Sequence, residues 1–278
     1  MKASVIIPTL GGGYLDHTLR TLGRQTVKPD EVVLVVKGSD PAKLERKCSE
    51  YGLSSTVLEQ TGGRVTRAYN MGKEAATGDV LIFTDDDVLL PPEWVERHLS
   101  LHRAYPKVAG IGSRDIQYDL ASGKTVPTRD ERLPFKFYRP VRRLLGLRLH
   151  PPHPFLRKYR LGIYLTKEGK IRYGPLLPNF RCYSLSYKGA NMSFKREAVE
   201  GVSFVEHPRL RRCLGFEQHF ALSLLLRGYD TVYTPENPLF HIRHESLSRT
   251  AYKSVLSEII SEQSFMESLL RDLLDQLG

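Results

Sequence analysis

The sequence has few cysteines and no long hydrophobic run. Its three cysteines stand far apart, at positions 48, 182 and 213, and none forms a CxxC pair. This spacing argues against a disulfide framework and a cysteine-rich zinc site, and is typical of the reducing cytoplasm. The longest apolar runs, such as Val32–Val36, are far shorter than the roughly 18 residues that a membrane span requires. We therefore expect a cytoplasmic protein without a transmembrane helix.

Several well-known catalytic motifs are also missing. Gly11 and Gly13 follow a predicted strand, but Asp16 stands where a dinucleotide-binding G-x-G-x-x-G motif would need its third glycine. The sequence contains neither a Walker P-loop nor the G-x-S-x-G turn of a serine nucleophile. These absences disfavour hydride transfer and P-loop hydrolysis.

Positive charge, by contrast, is abundant and concentrated. The 278 residues include 41 Lys and Arg against 31 Asp and Glu, a net charge of +10. Residues 129–160, here called the basic segment, hold ten cations against two carboxylates, interleaved with leucine, phenylalanine and proline. A segment both basic and apolar favours an anionic lipid surface over a nucleic-acid groove. The alternative is a solvated loop whose apolar side chains pack on the body of the protein.

Strand and helix patterns alternate through the first 110 residues. Apolar, β-branched runs predict strands at Ala3–Pro8, Glu31–Val36 and Asp79–Phe83. Helical patterns lie between them, over 40–51 and 64–77. This alternation predicts an α/β fold with a mainly parallel sheet flanked by helices, in which ligands bind beyond the carboxyl ends of the strands.

The end of the sequence predicts a separate amphipathic helix over Ala251–Gly278. Apolar residues recur there in 4–3 spacing, with Gln263 at one seam position. Two cations and five carboxylates make the segment acidic, so anionic lipid would repel it. We expect it to pack on a protein surface, either its own or a partner's, and a homo-oligomer through this helix is one such arrangement.

Three consecutive carboxylates, Asp85-Asp86-Asp87, directly follow the predicted strand that ends at Phe83. Their mutual repulsion is relieved when a hard divalent cation with oxygen preference binds among them. Helix capping before Pro91 and Pro92, or a solvated acidic turn, is the alternative interpretation.

Five motifs, in order along the chain, together resemble glycosyltransferase family 2. They are Ser4–Thr9, Asn70-x-Gly72, Gly78-Asp79 before Asp85-x-Asp87, Gly189–Ala198, and Gly215-Phe216-Glu217 ahead of Arg227-Gly228-Tyr229. The similarity covers roughly residues 3–112 and 186–245, and it implies a GT-A fold. The expected organisation is one catalytic domain over 1–250, followed by the C-terminal helix at 251–278. Within the domain, 1–112 would bind the nucleotide sugar, 113–185 would form a basic and apolar insertion, and 186–250 would form the acceptor half.

The resemblance also implies roles for particular residues. Glu217 stands eleven residues before Gly228, where the family has an aspartate base, and would be the catalytic base. Asp87 and Asp85 would hold Mg²⁺ or Mn²⁺ together with His241, for which His244 is the alternative, and Gly189 and Asn191 would face the acceptor. Arg64 or Arg67 would replace the arginine that the family carries at Tyr69. The nucleotide-sugar site would comprise Pro8, Thr9, Lys37, Ser39, Arg67, Asn70, Asp85 and Asp86.

The implied activity is transfer of a sugar from a nucleoside-diphosphate sugar to a hydroxyl of a saccharide or lipid-linked acceptor, with inversion. A nucleotidyltransferase would use the same carboxylates but attack at phosphorus. A lipid-binding or nucleic-acid-binding module would use the basic segment but leave the carboxylates unexplained. We therefore expect no nucleic-acid partner, and we expect peripheral contact with an anionic membrane.

Overall fold

A computed structural model describes residues 1–126, 150–186, 188–244 and 256–277. Most of the basic segment lies outside these ranges. The first part of the chain builds four parallel strands in the order β4-β1-β2-β3, joined by helices. The elements are β1 (Ala3–Thr9), α1 (Leu15–Gly23), β2 (Glu31–Val36), α2 (Pro41–Glu50), β3 (Ser55–Glu59), α3 (Val65–Ala75) and β4 (Val80–Phe83).

The second part extends the same sheet beyond β4. The full order is β10-β12-β6-β11-β4-β1-β2-β3, with β5 paired to β12 and β7 paired to β6. Strands β8 and β9 form a separate antiparallel pair. These elements are β5 (Val88–Leu89), α4 (Trp94–Ala104), β6 (Val108–Asp119), β7 (Lys124–Thr125), β8 (Ile163–Leu165), β9 (Ile171–Tyr173), β10 (Cys182–Tyr183), β11 (Met192–Lys195), α5 (Arg196–Val199), α6 (Phe216–Leu226), β12 (Asp230–Ile242) and α7 (Leu256–Asp275).

Helices cover both faces of the sheet, because successive side chains of a strand point to opposite faces. In β1, Val5 and Ile7 pack with apolar residues of α1, α2 and α4 on one face. Ile6, between them, packs on the other face with apolar residues of α3, α6 and α7. The α/β fold that the sequence predicts is therefore confirmed, and its strand runs are apolar on both faces for this reason.

The C-terminal helix packs against the chain's own core. Met266, Leu270 and Leu274 of α7 join the apolar cluster that includes α3 and α6. The sequence placed Gln263 at the seam, and this was wrong: Gln263 is exposed and its neighbour Glu262 is buried instead. The apolar seam that suggested a homo-oligomer is thus occupied within one chain. Within the described ranges, each helix is too short or too polar to span a bilayer.

Candidate active site

The carboxyl ends of β1, β2 and β4 meet at one edge of the sheet, because these strands are parallel neighbours. Asp85-Asp86-Asp87 leaves the end of β4 there. The Thr9 hydroxyl, at the end of β1, donates a hydrogen bond to Asp86 and accepts one from the Gly11 amide at 2.9 Å. Gly11 packs directly against Ser39, which follows β2. The fold therefore brings together three segments that the sequence assigned to the donor site.

Asp85, Asp87 and His241 form a cluster in which one potential ligand atom from each lies within 4.8 Å of the others. His241 arrives from β12, whose last residues pair with β5 immediately after the carboxylates. Its Nε2 lies 3.1 Å from Asp87 Oδ2. His244 Nε2 lies 2.6 Å from the same oxygen, so both histidines considered from the sequence reach Asp87. The His244 ring stacks on Tyr14.

The donor set of this cluster fits a divalent cation. Two carboxylates and an imidazole are suitable ligands for Mn²⁺, and oxygen-rich sites also suit Mg²⁺. Asp87 Oδ1 is buried and has no hydrogen-bond partner in the described part of the chain. A buried carboxylate oxygen without a partner is costly, and a metal ion would satisfy it.

The pKa shifts of Asp85 and His241 reflect the concentration of negative charge in the cluster. Burial raises the pKa of Asp85 to about 7, with the charges of Asp87 and Asp115 acting in the same direction. Burial alone would lower the pKa of His241, but the adjacent carboxylates of Asp115 and Asp87 outweigh it and raise the pKa to about 10. A ligating histidine must be neutral, so a metal ion would compete with the proton on His241.

Sequence reasoning missed a second carboxylate that holds His241. Asp115 on β6 is almost fully buried, and its Oδ2 lies 3.4 Å from His241 Nδ1. The same oxygen accepts a hydrogen bond from Lys188 Nζ at 3.0 Å. Burial opposes its ionisation, but His241 and Lys188 outweigh this and lower the pKa of Asp115 to about 2. Asp115 could not be found from local pattern, because β6 meets β12 only in the folded sheet.

Replacing Asp115 with asparagine should weaken metal binding. A carboxylate on the far nitrogen of a ligating histidine fixes its orientation, and losing such a partner typically costs about 10–100-fold in metal affinity. Asp119→Asn is the matched control, because this carboxylate of the same strand accepts hydrogen bonds from Ala121 and Ser122 of the following turn and has no contact with His241 in the described ranges. Titration of each metal-free protein with Mn²⁺, followed by electron paramagnetic resonance, measures both affinities. Equal affinity in Asp115→Asn and wild type would remove the residue from the metal site.

Glu217 lies in the first turn of α6 and faces the region of the carboxylate cluster. Its Oε1 accepts a hydrogen bond from the Gly189 amide at 3.1 Å. Burial raises the pKa of Glu217 to about 7, and the charge of Asp85 adds to this effect while the Gly189 hydrogen bond opposes it. A carboxylate with a pKa near neutrality can accept a proton efficiently at physiological pH.

Gly189 and Tyr69 lie between Glu217 and the carboxylates. A Cβ atom added at Gly189 would lie 3.2 Å from the Tyr69 hydroxyl and 3.6 Å from Glu217 Oε1. The Tyr69 hydroxyl in turn donates a hydrogen bond to Asp85 Oδ1 at 3.3 Å. Tyr69, which stands where the family has an arginine, thus connects the two sides of the site.

Other predicted donor-site residues already have protein partners. The Lys37 ammonium donates to the Gly63 carbonyl at 2.9 Å, which ties the loop after β2 to the start of α3. The Asn70 amide binds the Phe204 backbone through both its oxygen and its nitrogen. The Arg67 guanidinium lies 3.8 Å from Glu206. Contacts of these residues, and of Pro8, with a nucleotide remain predictions.

The expectation for Asn191 needs correction. Its side chain is completely buried, which excludes direct contact with an acceptor. Its oxygen accepts a hydrogen bond from the Trp94 indole at 3.1 Å, and its nitrogen donates to the Arg114 and Asn237 carbonyls at 2.9 Å each. Asn191 therefore joins α4 to β6 and β12 behind the site. Gly189, two residues earlier, does reach the site through its amide.

Comparison with solved structures identifies the class of fold. GalNAc-T7, solved with UDP, GalNAc and Mn²⁺, aligns with a TM-score of 0.61 and 16% identity over 87% of this chain and 43% of that one. The mannosyltransferase PcManGT from Pyrobaculum calidifontis, solved with GDP-Man and Mn²⁺, aligns with a TM-score of 0.58 and 19% identity over 99% of this chain and 68% of that one. At these identities the similarity establishes the fold, which is that of GT-A glycosyltransferases.

Sequence comparison then establishes the family. The sequence model of glycosyl transferase family 2 matches residues 4–164, more than half of the chain. The chain belongs to this family.

Among curated relatives, validoxylamine A glucosyltransferase of Streptomyces hygroscopicus subsp. limoneus is 33% identical over 105 residues. The match covers 36% of this chain and 23% of that protein. The amylovoran biosynthesis glycosyltransferase AmsE of Erwinia amylovora is 30% identical over 109 residues, covering 38% of this chain and 41% of that protein. The chain thus matches less than half the length of these relatives.

Proposed function

We propose that the protein is an inverting glycosyltransferase that moves a sugar from a nucleoside-diphosphate sugar to a hydroxyl of a saccharide or lipid-linked acceptor. The observation that carries the proposal is the short path between the Asp85–Asp87–His241 cluster and Glu217. Gly189 and Tyr69 lie between them. A cation site for the leaving group and a base for the acceptor are the two groups that direct displacement requires.

Asp85, Asp87 and His241 would hold Mg²⁺ or Mn²⁺ against the donor diphosphate. The bound cation supplies Lewis-acid chemistry, neutralising the charge that develops on the leaving nucleoside diphosphate. Asp115 keeps His241 oriented towards the cluster through its contact with Nδ1. The neighbouring ends of β1 and β2, with Thr9 and Ser39, would receive the nucleoside.

Glu217 would take the proton of the acceptor hydroxyl as that oxygen attacks the anomeric carbon. The Gly189 amide donates to one of its oxygens, which fixes the direction of the carboxylate. Attack on the face opposite the leaving group inverts the anomeric centre, and a covalent enzyme intermediate is unnecessary. The pKa of about 7 keeps a substantial fraction of Glu217 unprotonated at neutral pH.

A thermal-shift screen tests the proposal directly. Sugar conjugates of UDP, GDP and other nucleoside diphosphates are each added with Mn²⁺ or with EDTA. Binding to the folded state alone stabilises it by about 2.7 kcal/mol at a ligand concentration 100 times Kd, so a matching donor should raise the melting temperature only when Mn²⁺ is present. Sugar transfer from that donor should follow. Pyrophosphate release from a nucleoside triphosphate and a sugar phosphate, without sugar transfer, would support the nucleotidyltransferase alternative instead.

We also propose that the basic segment binds anionic membrane, a proposal that rests on sequence. Its described end packs on the body: Leu156 and Tyr159 are buried, and Lys158 pairs with Asp230 at 2.5 Å. Phe155 in the same 3₁₀ turn is exposed. The four central arginines considered from the sequence, at 139, 142, 143 and 148, lie outside the described residues.

The expected result is co-sedimentation with phosphatidylserine vesicles at low salt. Each Lys or Arg near an anionic leaflet contributes about 1 kcal/mol, and salt screens the attraction. Replacing Arg139, Arg142, Arg143 and Arg148 together with serine should release the protein from the vesicles without changing donor hydrolysis. If the wild-type protein stays in the supernatant at low salt, the segment is a folded loop or part of a soluble-acceptor site.

A further inference from the structure

The loop before the proposed base is held by the C-terminal helix. Residues 207–215, here called the base loop, lie between α5, which ends at Val199, and α6, whose N-cap is Gly215. Glu217 follows two residues later. Helix α7 lies against this loop and against α6. It also lies outside residues 4–164, the range that the family model matches.

One buried side chain of α7, Glu262, makes the main polar contact with the base loop. It is only 5% exposed. Its two oxygens accept hydrogen bonds from three backbone amides, those of Arg211 at 3.0 Å, Arg212 at 2.9 and 3.1 Å, and Leu214 at 3.0 Å. Three converging amides are the environment in which a buried carboxylate is stable. The loop is therefore wrapped around this one group.

The loop backbone needs such support because of its conformation. Cys213 has a φ of 56°, the only positive value for a residue other than glycine in the described ranges, and Gly215 has a φ of 83°. Left-handed backbone is unfavourable for a side chain such as cysteine and persists when surrounding contacts impose it. The amides of Arg212 and Leu214, on either side of Cys213, both bind Glu262.

Further contacts from α7 cover the rest of the loop. The Phe265 ring packs against His207, with centroids 4.4 Å apart, and lies 4.1 Å from the Arg209 guanidinium. Met266 approaches Gly215 so closely that a Cβ atom there would meet it at 3.0 Å. Helix α7 therefore contacts the base loop at both of its ends, and the second contact lies at the N-cap of α6.

We propose that Glu262 is a positioning residue for sugar transfer: by holding the base loop, it places Glu217 where the acceptor hydroxyl is deprotonated. Glu217 lies in the first turn of α6, so a shift of the loop moves its carboxylate directly. The inference rests on the proposed role of Glu217 as base. It gives the C-terminal helix a part in the reaction, although α7 contributes no group to the site itself.

The test compares Glu262→Gln with Glu258→Gln. The glutamine amide keeps one acceptor oxygen but turns an NH₂ group towards amides that also donate, so the loop should lose part of its support. Glu258 is the matched control, one turn earlier on α7, exposed, and in contact with the Arg211 side chain rather than the loop backbone. Because a displacement of about 1 Å can cost about 10²-fold in rate, Glu262→Gln should lower kcat by 10- to 100-fold. KM for the donor should stay unchanged, and Glu258→Gln should behave as wild type.

Two further measurements separate positioning from general stability. Hydrogen exchange on the wild-type protein should show the amides of residues 211, 212 and 214 protected like those of buried strands, and Glu262→Gln should accelerate their exchange. Glu262→Asp, which keeps the carboxylate on a shorter side chain, should restore part of kcat. A purely structural role predicts a lower melting temperature with unchanged kcat below it.

The inference is overturned if the wild-type loop amides exchange as freely as exposed ones, or if Glu262→Gln keeps full kcat. These outcomes can be distinguished from failure of the proposed function. If Glu217 is not the base, Glu217→Gln itself retains turnover, whatever the Glu262 variants do.

Discussion

Asp87→Asn is expected to abolish sugar transfer while the fold survives. Asp87 contributes an oxygen to the Asp85–Asp87–His241 cluster and holds a second, buried oxygen without a partner in the described part of the chain. Asparagine keeps the shape but removes the charge that binds the cation, so the leaving diphosphate loses its neutralising partner. Removing one preorganised electrostatic group of this kind typically costs at least about 10²-fold in rate.

The measurement pairs transfer rate with Mn²⁺ affinity on the same preparation. Both should fall in Asp87→Asn. The control Asp119→Asn, which removes a carboxylate at the far end of β6, should change neither. His241 and His244 both lose a carboxylate partner in the variant, so the melting temperature is recorded as well. Transfer near the wild-type rate with intact metal dependence would show that Asp87 is not a metal ligand.

The meeting of Thr9 and Asp85 at one edge of the sheet could be predicted from the sequence, because it depends on local patterns. Each strand there is a short apolar run that ends in a polar group, as β1 ends at Thr9 and β4 leads into Asp85. Parallel neighbours end at the same edge, so pattern alone brings these groups together. The strand bounds agree closely: Glu31–Val36 is both predicted and observed.

The contribution of β12 was harder to predict. Pro235 and Pro238 follow Thr234 in the sequence, and proline normally ends a strand. In the structure β12 continues to Ile242 across a register shift between Thr234 and Leu239. This irregularity carries His241 to the carboxylates. The histidine was found from the family resemblance, but its route to Asp87 required the fold.

Asp115 and Glu262 lay beyond sequence reasoning for a different reason. Carboxylates are rarely buried unless paired, and their partners here are far along the chain: Lys188 for Asp115, and the base loop for Glu262. A helical pattern therefore reads Glu262 as a surface residue. The structural alternative to a base role for Glu217 is an ion pair with one of Arg209, Arg211 and Arg212. The loop amides bind Glu262, and the Arg211 side chain lies 3.6 Å from Glu258.

Glu217→Gln is expected to keep donor affinity and lose turnover by about 10²–10⁴-fold, the usual contribution of a general base. Glutamine can still accept the Gly189 hydrogen bond through its oxygen, so the local structure should persist, but it cannot take a proton. Turnover, donor affinity and melting temperature are measured together. Glu197→Gln, which removes an exposed carboxylate from α5, is the matched control and should leave all three unchanged.

The pH dependence distinguishes a base from a structural carboxylate. Burial raises the pKa of Glu217 to about 7. At pH values between the ordinary pKa of a glutamate and 7, the folded state therefore holds a proton on Glu217 that the unfolded chain has released. Stability therefore falls as pH rises through this window, and removing the carboxylate should leave the melting temperature at pH 8 equal or higher. The wild-type transfer rate should fall at acidic pH, as Glu217 becomes protonated. The midpoint of this fall should lie at or below about pH 7, since a bound cation nearby would lower the pKa of Glu217 further. If Glu217→Gln melts at a lower temperature than wild type but keeps most of its turnover, Glu217 is a structural residue. A base predicts the opposite result, a loss of turnover without a loss of stability, because burying its carboxylate destabilises the fold.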